Sequence, residues 1–242
     1  GLPKSVTKSL LHPYEPENLK RNTGFFCLTP DAESIFSKYG SSKFLPWCID
    51  MKFFTPTTIA KSPNKKFFIA AGKTNRDYDT LIRSASGTNA EIRIIGPATQ
   101  KWRHLPKNVV WIDTSKDPPD KAIDYLTLRN WYEQSIGVCI PLTGNAEDTC
   151  GYTNMLESMA MGKPVLMTRS GCLHINPKIG NFGKIIEPQD FKGWRNSMNE
   201  LIDNPTLTRE LGKNGRKLAE QEFSIDKFDQ SIKSFISNFL EH

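Results

Sequence analysis

The residues able to do chemistry gather in one stretch. The apolar run "IGVCIPL" (136–142) is followed by "TGNAEDTCGYTN" (143–154) and then by "MLESMAMGKPVLMTRSG" (155–171). This reads as strand, loop, short apolar helix and second strand. Gly151 stands just before Tyr152, Thr153 and Asn154, with the helix starting near Thr153. The first amides of a helix have no intrahelical acceptor and carry the positive end of its dipole, so they suit a phosphate. A glycine there lets a ligand come close to the backbone. Thr153 and Asn154 add side-chain donors, and Asp148 is in the same loop.

Glu157 follows about one turn into the helix. Its neighbours Met155, Leu156, Met159, Ala160 and Met161 leave little polar face. A partly buried carboxylate needs hydrogen-bond donors, and two vicinal sugar hydroxyls would supply them in bidentate fashion. The plainer account is a solvent-facing glutamate that favours the first half of a helix. A second loop, "AAGKTNRDYDTL" (70–81), places Lys73 and Arg76 just after another apolar run. Both can neutralise a diphosphate; both are equally compatible with ordinary surface charge. The loop has neither the G-x-G-x-x-G nor the G-x-x-x-x-G-K-[ST] spacing, which weighs against a dinucleotide site or a P-loop.

These loops need elements to hold them. "KKFFIAAG" (65–72), "EIRIIG" (91–96), "NVVWID" (108–113), "IGVCIPL", "KPVLMTRSG" (163–171) and "GKIIEP" (183–188) read as strands. "DYDTLIRSASG" (77–87) and "PDKAIDYLTLRNWYEQ" (119–134) read as helices. So does the tail "DFKGWRNSMNELIDNPTLTRELGKNGRKLAEQEF" (190–223), with a break at Asn204-Pro205. Strands alternating with helices mean a parallel sheet covered on both faces, and near-continuous apolar strands fit burial on both sides. Ligands of such sheets bind beyond the carboxyl ends of the strands, where both loops fall. Ahead of this unit, "FFCLTP" (25–30) reads as a strand, "DAESIFSKYG" (31–40) as a helix, and "SKFLPWCIDMKFFTPTTIAKSPN" (42–64) as a linker held to a surface by Trp47, Phe53 and Phe54. The last segment, from Ser224 as N-cap, repeats Phe228, Ile232, Phe235, Ile236 and Phe239 at helical spacing.

The expected fold class is therefore α/β: a Rossmann-like parallel sheet with helices on both faces, plus a remnant of a preceding domain. The expected division is 1–60 (end of an N-terminal domain and connector), 61–223 (the Rossmann-like domain) and 224–242 (an amphipathic helix). The 242 residues carry a formal net charge of +6, with basic residues spread along the chain. That balance suggests anionic company, but no basic block with interleaved aromatics argues for nucleic acid. Five scattered cysteines, none in a C-x-x-C pair, and four dispersed histidines argue against a disulfide framework or a zinc site. No apolar run reaches the ~18 residues of a membrane span, and the expected location is cytoplasmic.

The ordered series of motifs resembles the C-terminal, donor-binding half of the group 1 retaining glycosyltransferases of two-Rossmann-domain (GT-B) architecture. "FLPWCIDMKFFTP" resembles their interdomain connector, "FFIAAGKTNRDYDTLI" their first strand of this half, and "TNMLESMAMGKPVLMTRSG" their most distinctive segment. The resemblance covers about residues 25 to 240. It implies transfer of a sugar from a nucleoside diphosphate sugar to an acceptor, with no metal or cofactor beyond the donor. It implies Glu157 on the donor ribose, the amides of Tyr152, Thr153 and Asn154 on the phosphates, Lys73 on the diphosphate, and Thr114 near the nucleobase. The first glutamate of the family's pair would stand at Thr149, with Glu147 and Asp148 as nearby substitutes; Arg76 is the candidate for the second basic residue. An N-terminal acceptor domain is expected besides, and the amphipathic tail offers itself to a neighbouring domain or an anionic membrane. A non-catalytic binding module with the same fold is the alternative. A nucleotide-sugar epimerase is a weaker reading, for which His174 is the nearby histidine.

Overall fold

The computed structural model describes residues 24–57, 65–98, 102, 104–115, 123–144, 149–169 and 174–240, without the side chains of 238–240. The expected boundary at 60/61, Asp148 and Glu147 lie outside the described residues.

Six strands form one parallel sheet: β3 (Phe67–Ala71), β4 (Glu91–Gly96), β5 (Val109–Asp113), β6 (Gly137–Ile140), β7 (Val165–Thr168) and β8 (Gly183–Ile186). Their order is β5-β4-β3-β6-β7-β8. The chain builds outward from β3 in one direction, then returns beside it at β6 and builds outward in the other. The point where the order reverses, between β3 and β6, is where open α/β sheets bind ligands.

Alternation along the strands explains the apolar runs. Phe67, Ile69 and Ala71 enter one core with Val138, Ile140 and Met167. Phe68 and Ala70 enter the other with Cys139 and Leu166. Because side chains alternate faces, a strand buried on both must be apolar at every position, and all five residues of β3 are buried. The first core takes α3 (Tyr125–Gln134), α4 (Tyr152–Ala160) and α6 (Pro205–Glu222) through Tyr132, Met155, Met159 and Ala219. The second takes α2 (Tyr78–Ser84) and α5 (Phe191–Asp203) through Leu81, Ile82, Trp194 and Met198.

The expected break in the tail is a shared cap. Asn204 ends α5 with its amide and starts α6 with its side chain, which accepts from the Leu207 amide at 3.0 Å. Pro205 then occupies the first helical position, where no donor is needed. Asn204→Ala should lower unfolding free energy by about 1 kcal/mol, read from the midpoint of urea unfolding.

Two expectations about the first residues need correction. Ser41–Phe44, overlapping the start of the presumed linker, is a strand, β2, paired in parallel with β1 (Gly24–Cys27) across α1 (Pro30–Phe36). Trp47 is not a surface anchor: it stays 43% exposed, whereas Phe54 is buried. The connector docks through its backbone. Arg216 donates to the Phe54 carbonyl at 2.8 Å and Arg129 to that of Thr55 at 2.7 Å. The Ile49 amide donates to the Phe223 carbonyl at 2.8 Å, beside a parallel bridge between Ile49 and Ser224. From there α7 (Ile225–Leu240) runs back to the small sheet, with the rings of Phe235 and Phe26 4.8 Å apart. No helix among the described residues is long and apolar enough to cross a membrane.

Candidate functional site

The loop after β3 and the segment after β6 are laced together at the switch point. The Asp77 amide donates to the Pro141 carbonyl and the Thr143 amide to that of Asn75. Tyr78, near the start of α2, donates its hydroxyl to the Gly72 carbonyl at 2.6 Å. These bonds bring Arg76 up to the N-terminus of α4. Its guanidinium lies so close over Gly72 (φ +137°) that a Cβ there would meet it at 2.5 Å.

Helix α4 begins without a side-chain cap. Gly151 is the N-cap residue, in the left-handed region at φ +88°, and among the described residues no side chain caps the first amides. A Cβ at Gly151 would stand 2.5 Å from Ile140 Cγ2. The glycine is thus required twice, by backbone conformation and by the close packing of the turn on β6.

One turn inside, Glu157 is 4% exposed. The solvent-facing account of this residue is therefore excluded. Tyr132 of α3 donates to Glu157 Oε2 at 2.8 Å, and Asn154 Nδ2 donates to the same oxygen at 3.3 Å. Burial pushes the Glu157 carboxyl up to about 7, with the bonds from Tyr132 and Asn154 pulling the other way. Tyr132 is wholly buried; burial and the adjacent carboxylate raise its phenol well above the ordinary value.

Three cavities meet around the start of α4. The largest, about 440 Å³, brings together Glu157, Asn154, Thr153, Lys73 and Thr114, with Ile95 and Leu128 among its apolar walls. Thr114 is 2% exposed, and its Oγ1 is buried with no hydrogen-bond partner among the described residues. A second, about 270 Å³, has Lys73, Arg76 and the residues from Thr149 to Asn154 along its wall. A third, about 210 Å³, is bounded by Trp47, Tyr152, His174 and Thr149. The first and third share only Thr153, whereas the second shares several residues with each. The three therefore form a row with the 270 Å³ cavity in the middle.

Every described residue singled out from the sequence for the site falls around this row, whereas Asp148 and Glu147 lie outside the described residues. Arg76 is engaged already, donating to Asn154 Oδ1 at 2.7 Å and to the Thr74 carbonyl at 2.9 Å. His174 is packed between Phe44 and Tyr152 in edge-on contacts, and burial lowers its pKa. Sequence reasoning missed Tyr132, Trp47 and Leu128. Tyr132 carries no local signal, because its partner is 25 residues further along.

No family model matches the chain. A stretch of 92 residues, 38% of the chain, is 30% identical to the capsular polysaccharide biosynthesis glycosyltransferase CapM of Staphylococcus aureus and covers 24% of that protein. Another of 120 residues is 29% identical to the MMP alpha-(1->4)-mannosyltransferase of Mycolicibacterium hassiacum, covering 29% of it. The chain thus spans less than a third of each of these relatives. Among solved structures, sucrose-phosphate synthase of Thermosynechococcus elongatus superposes with a TM-score of 0.70 at 16% identity, over 98% of this chain and 65% of that one. HepE of Anabaena, solved with UDP and glucose, gives 0.69 at 14%, over 94% and 68%. The C-terminal domain of the group 1 glycosyl transferase LpcC of Francisella tularensis is matched over 99% of its length by 73% of this chain, with a TM-score of 0.56 at 17% identity. The fold is the one these glycosyltransferases share.

Proposed function

We propose that the chain is the donor-binding part of a retaining glycosyltransferase that transfers a sugar from a nucleoside diphosphate sugar. One observation carries this reading: a buried carboxylate sits one turn inside a helix whose N-terminus, without a side-chain cap among the described residues, faces two cations at the switch point of the sheet. The row of cavities fits the parts of such a donor in order. The nucleobase lies against Ile95 and Leu128, where Thr114 Oγ1 offers an unspent hydrogen bond. The ribose hydroxyls face Glu157. The diphosphate occupies the middle cavity, against the Gly151–Asn154 amides, Arg76 and Lys73. The transferred sugar enters the third cavity beside Trp47 and His174. Charge that builds on the leaving diphosphate meets donors already in place, so little reorganisation is needed at the moment of transfer. The similarity to named glycosyltransferases and the UDP bound by HepE support the reading.

Calorimetry with UDP, GDP, ADP and the matching nucleosides tests it. At least one diphosphate should bind, and more tightly than its nucleoside. Arg76→Ala should weaken the diphosphate about tenfold, the worth of one charge-assisted hydrogen bond, and weaken the nucleoside less, since that loses only the support Arg76 gives Asn154. Absence of binding by every diphosphate would refute the donor assignment. The alternative, a module that binds without catalysing, draws on Thr149: it is exposed where the resemblance places a carboxylate. Diphosphate binding with no transfer or hydrolysis of any UDP-sugar in the full-length protein would favour it.

A further inference from the structure

The bonds to Glu157 are one-sided. Tyr132 and Asn154 both address Oε2, and no hydrogen bond among the described residues is recorded at Oε1, although the residue lines the largest cavity. Asn154 Nδ2 also donates to the Tyr132 hydroxyl oxygen at 3.2 Å, so the phenol proton is left for the carboxylate. Arg76 fixes the direction of this chain. With a guanidinium on Asn154 Oδ1 and a carboxylate near Nδ2, turning the amide round would set donor against donor and acceptor against acceptor. Each bond in the sequence Arg76–Asn154–Tyr132–Glu157 therefore polarises the next in the same sense.

Building on the nucleotide-sugar reading, we propose that Tyr132 is a positioning residue: with Asn154 it clamps Glu157 Oε2 so that Oε1 is presented, ionised, to the ligand hydroxyls. The competing role for Tyr132 is simple filling of the core that it shares with Phe54, Met155 and Leu156. The two roles separate cleanly, because Tyr132→Phe keeps the ring and removes only the hydroxyl. Among the described residues, the polar groups around Glu157 are Tyr132 and Tyr125 from α3, Lys73 from the loop after β3, Thr114 after β5, and Thr153 and Asn154 on its own helix, with Arg76 behind Asn154. Of the two hydrogen bonds to the carboxylate, the one from Tyr132 is the shorter.

Two measurements test the clamp. In the ligand-free chain, the Glu157 carboxyl is titrated by NMR with ¹³C-labelled glutamate. Loss of a donor to the charged form raises an acid's pKa, so Tyr132→Phe should move the titration upward; an unchanged titration overturns the proposal. Affinity for UDP is then compared at pH 6.5 and 8.5. Tyr132→Phe should weaken it about tenfold at pH 6.5 and less at pH 8.5, where Glu157 is ionised in either protein. In a Glu157→Gln background, where no charge is left for the clamp to hold, the same change should cost clearly less affinity; an equal loss in both backgrounds overturns the proposal. Asn154→Ala, at a half-buried position, is the second variant and should shift the titration in the same direction. Should the wild type bind no nucleoside diphosphate, the donor assignment fails while the ligand-free titration still decides the clamp.

Discussion

Glu157→Gln should lower affinity for the nucleoside diphosphate by roughly 10- to 150-fold at pH 8, the span of a hydrogen bond to a charged group at about 1.5–3 kcal/mol. Glutamine keeps the size of the side chain and an oxygen for Tyr132, so the loss reports charge rather than packing. The wild-type pH profile should be distinctive. The carboxyl is raised to about 7 in the folded chain, mainly by burial, against 4.5 for the free group. Binding to ribose hydroxyls needs the ionised form, so affinity should rise as pH passes through about 7, and the glutamine variant should lack that rise. Stability runs the opposite way. The folded carboxyl holds its proton more tightly than the unfolded one, so its contribution is fully present below about pH 4.5 and is lost as pH rises through about 7. The difference is about 3 kcal/mol. Chemical denaturation at pH 5 and 8 should show it in the wild type and not in the glutamine variant. An affinity that ignores pH, paired with a glutamine variant that binds normally, would remove Glu157 from the site.

Gly151→Ala should damage fold and site together. The alanine must either hold φ near +88° or deform the turn, and its Cβ would stand 2.5 Å from Ile140 Cγ2 and 3.4 Å from Met167 Cε. A left-handed backbone for a residue with a Cβ costs about 1–2 kcal/mol, and forced overpacking about 1–3 kcal/mol more. A loss of about 3 kcal/mol corresponds to a drop in melting temperature of roughly 6–12 °C in a chain of this length. The amides of Tyr152 to Asn154 turn with the cap, so diphosphate affinity should fall well beyond what the unfolded fraction explains. Calorimetry far below the melting temperature separates the two effects. An alanine variant that melts and binds like the wild type would show that neither the cap conformation nor its close packing matters.

Fold and site differ in how far the sequence discloses them. The six strands were legible because β3, β6 and β7 are buried on both faces, and such strands must be apolar at every position. Strand β2 was not legible: Ser41–Phe44 alternates exposed with half-buried residues over only four positions, and prolines nearby suggested a linker. The start of α4 could be placed from Gly151 and Glu157 alone, since both act through local backbone geometry. The donors to Glu157 could not, because Tyr132 reaches it from another helix and Arg76 reaches Asn154 across 78 residues of chain. Thr114 was named only through the resemblance. Its significance here is a buried hydroxyl left without a partner among the described residues, a property of the packed cavity and not of the neighbouring letters.

The paired crossing at Ile49 and Phe223 has a mechanical consequence. The chain passes between the small sheet and the large one twice, and both passages are zipped side by side. Such a joint would be the pivot were β1, α1 and β2 to swing as a body. Leu28, Thr29 and Trp47 would travel with it and reshape the wall opposite His174. None of the described residues around Glu157's cavity would move, since all of them follow the joint in sequence and belong to the large sheet and its loops. A cross-link that freezes the swing should therefore leave the grip on a bare nucleoside diphosphate intact while altering that on the same nucleotide carrying its sugar.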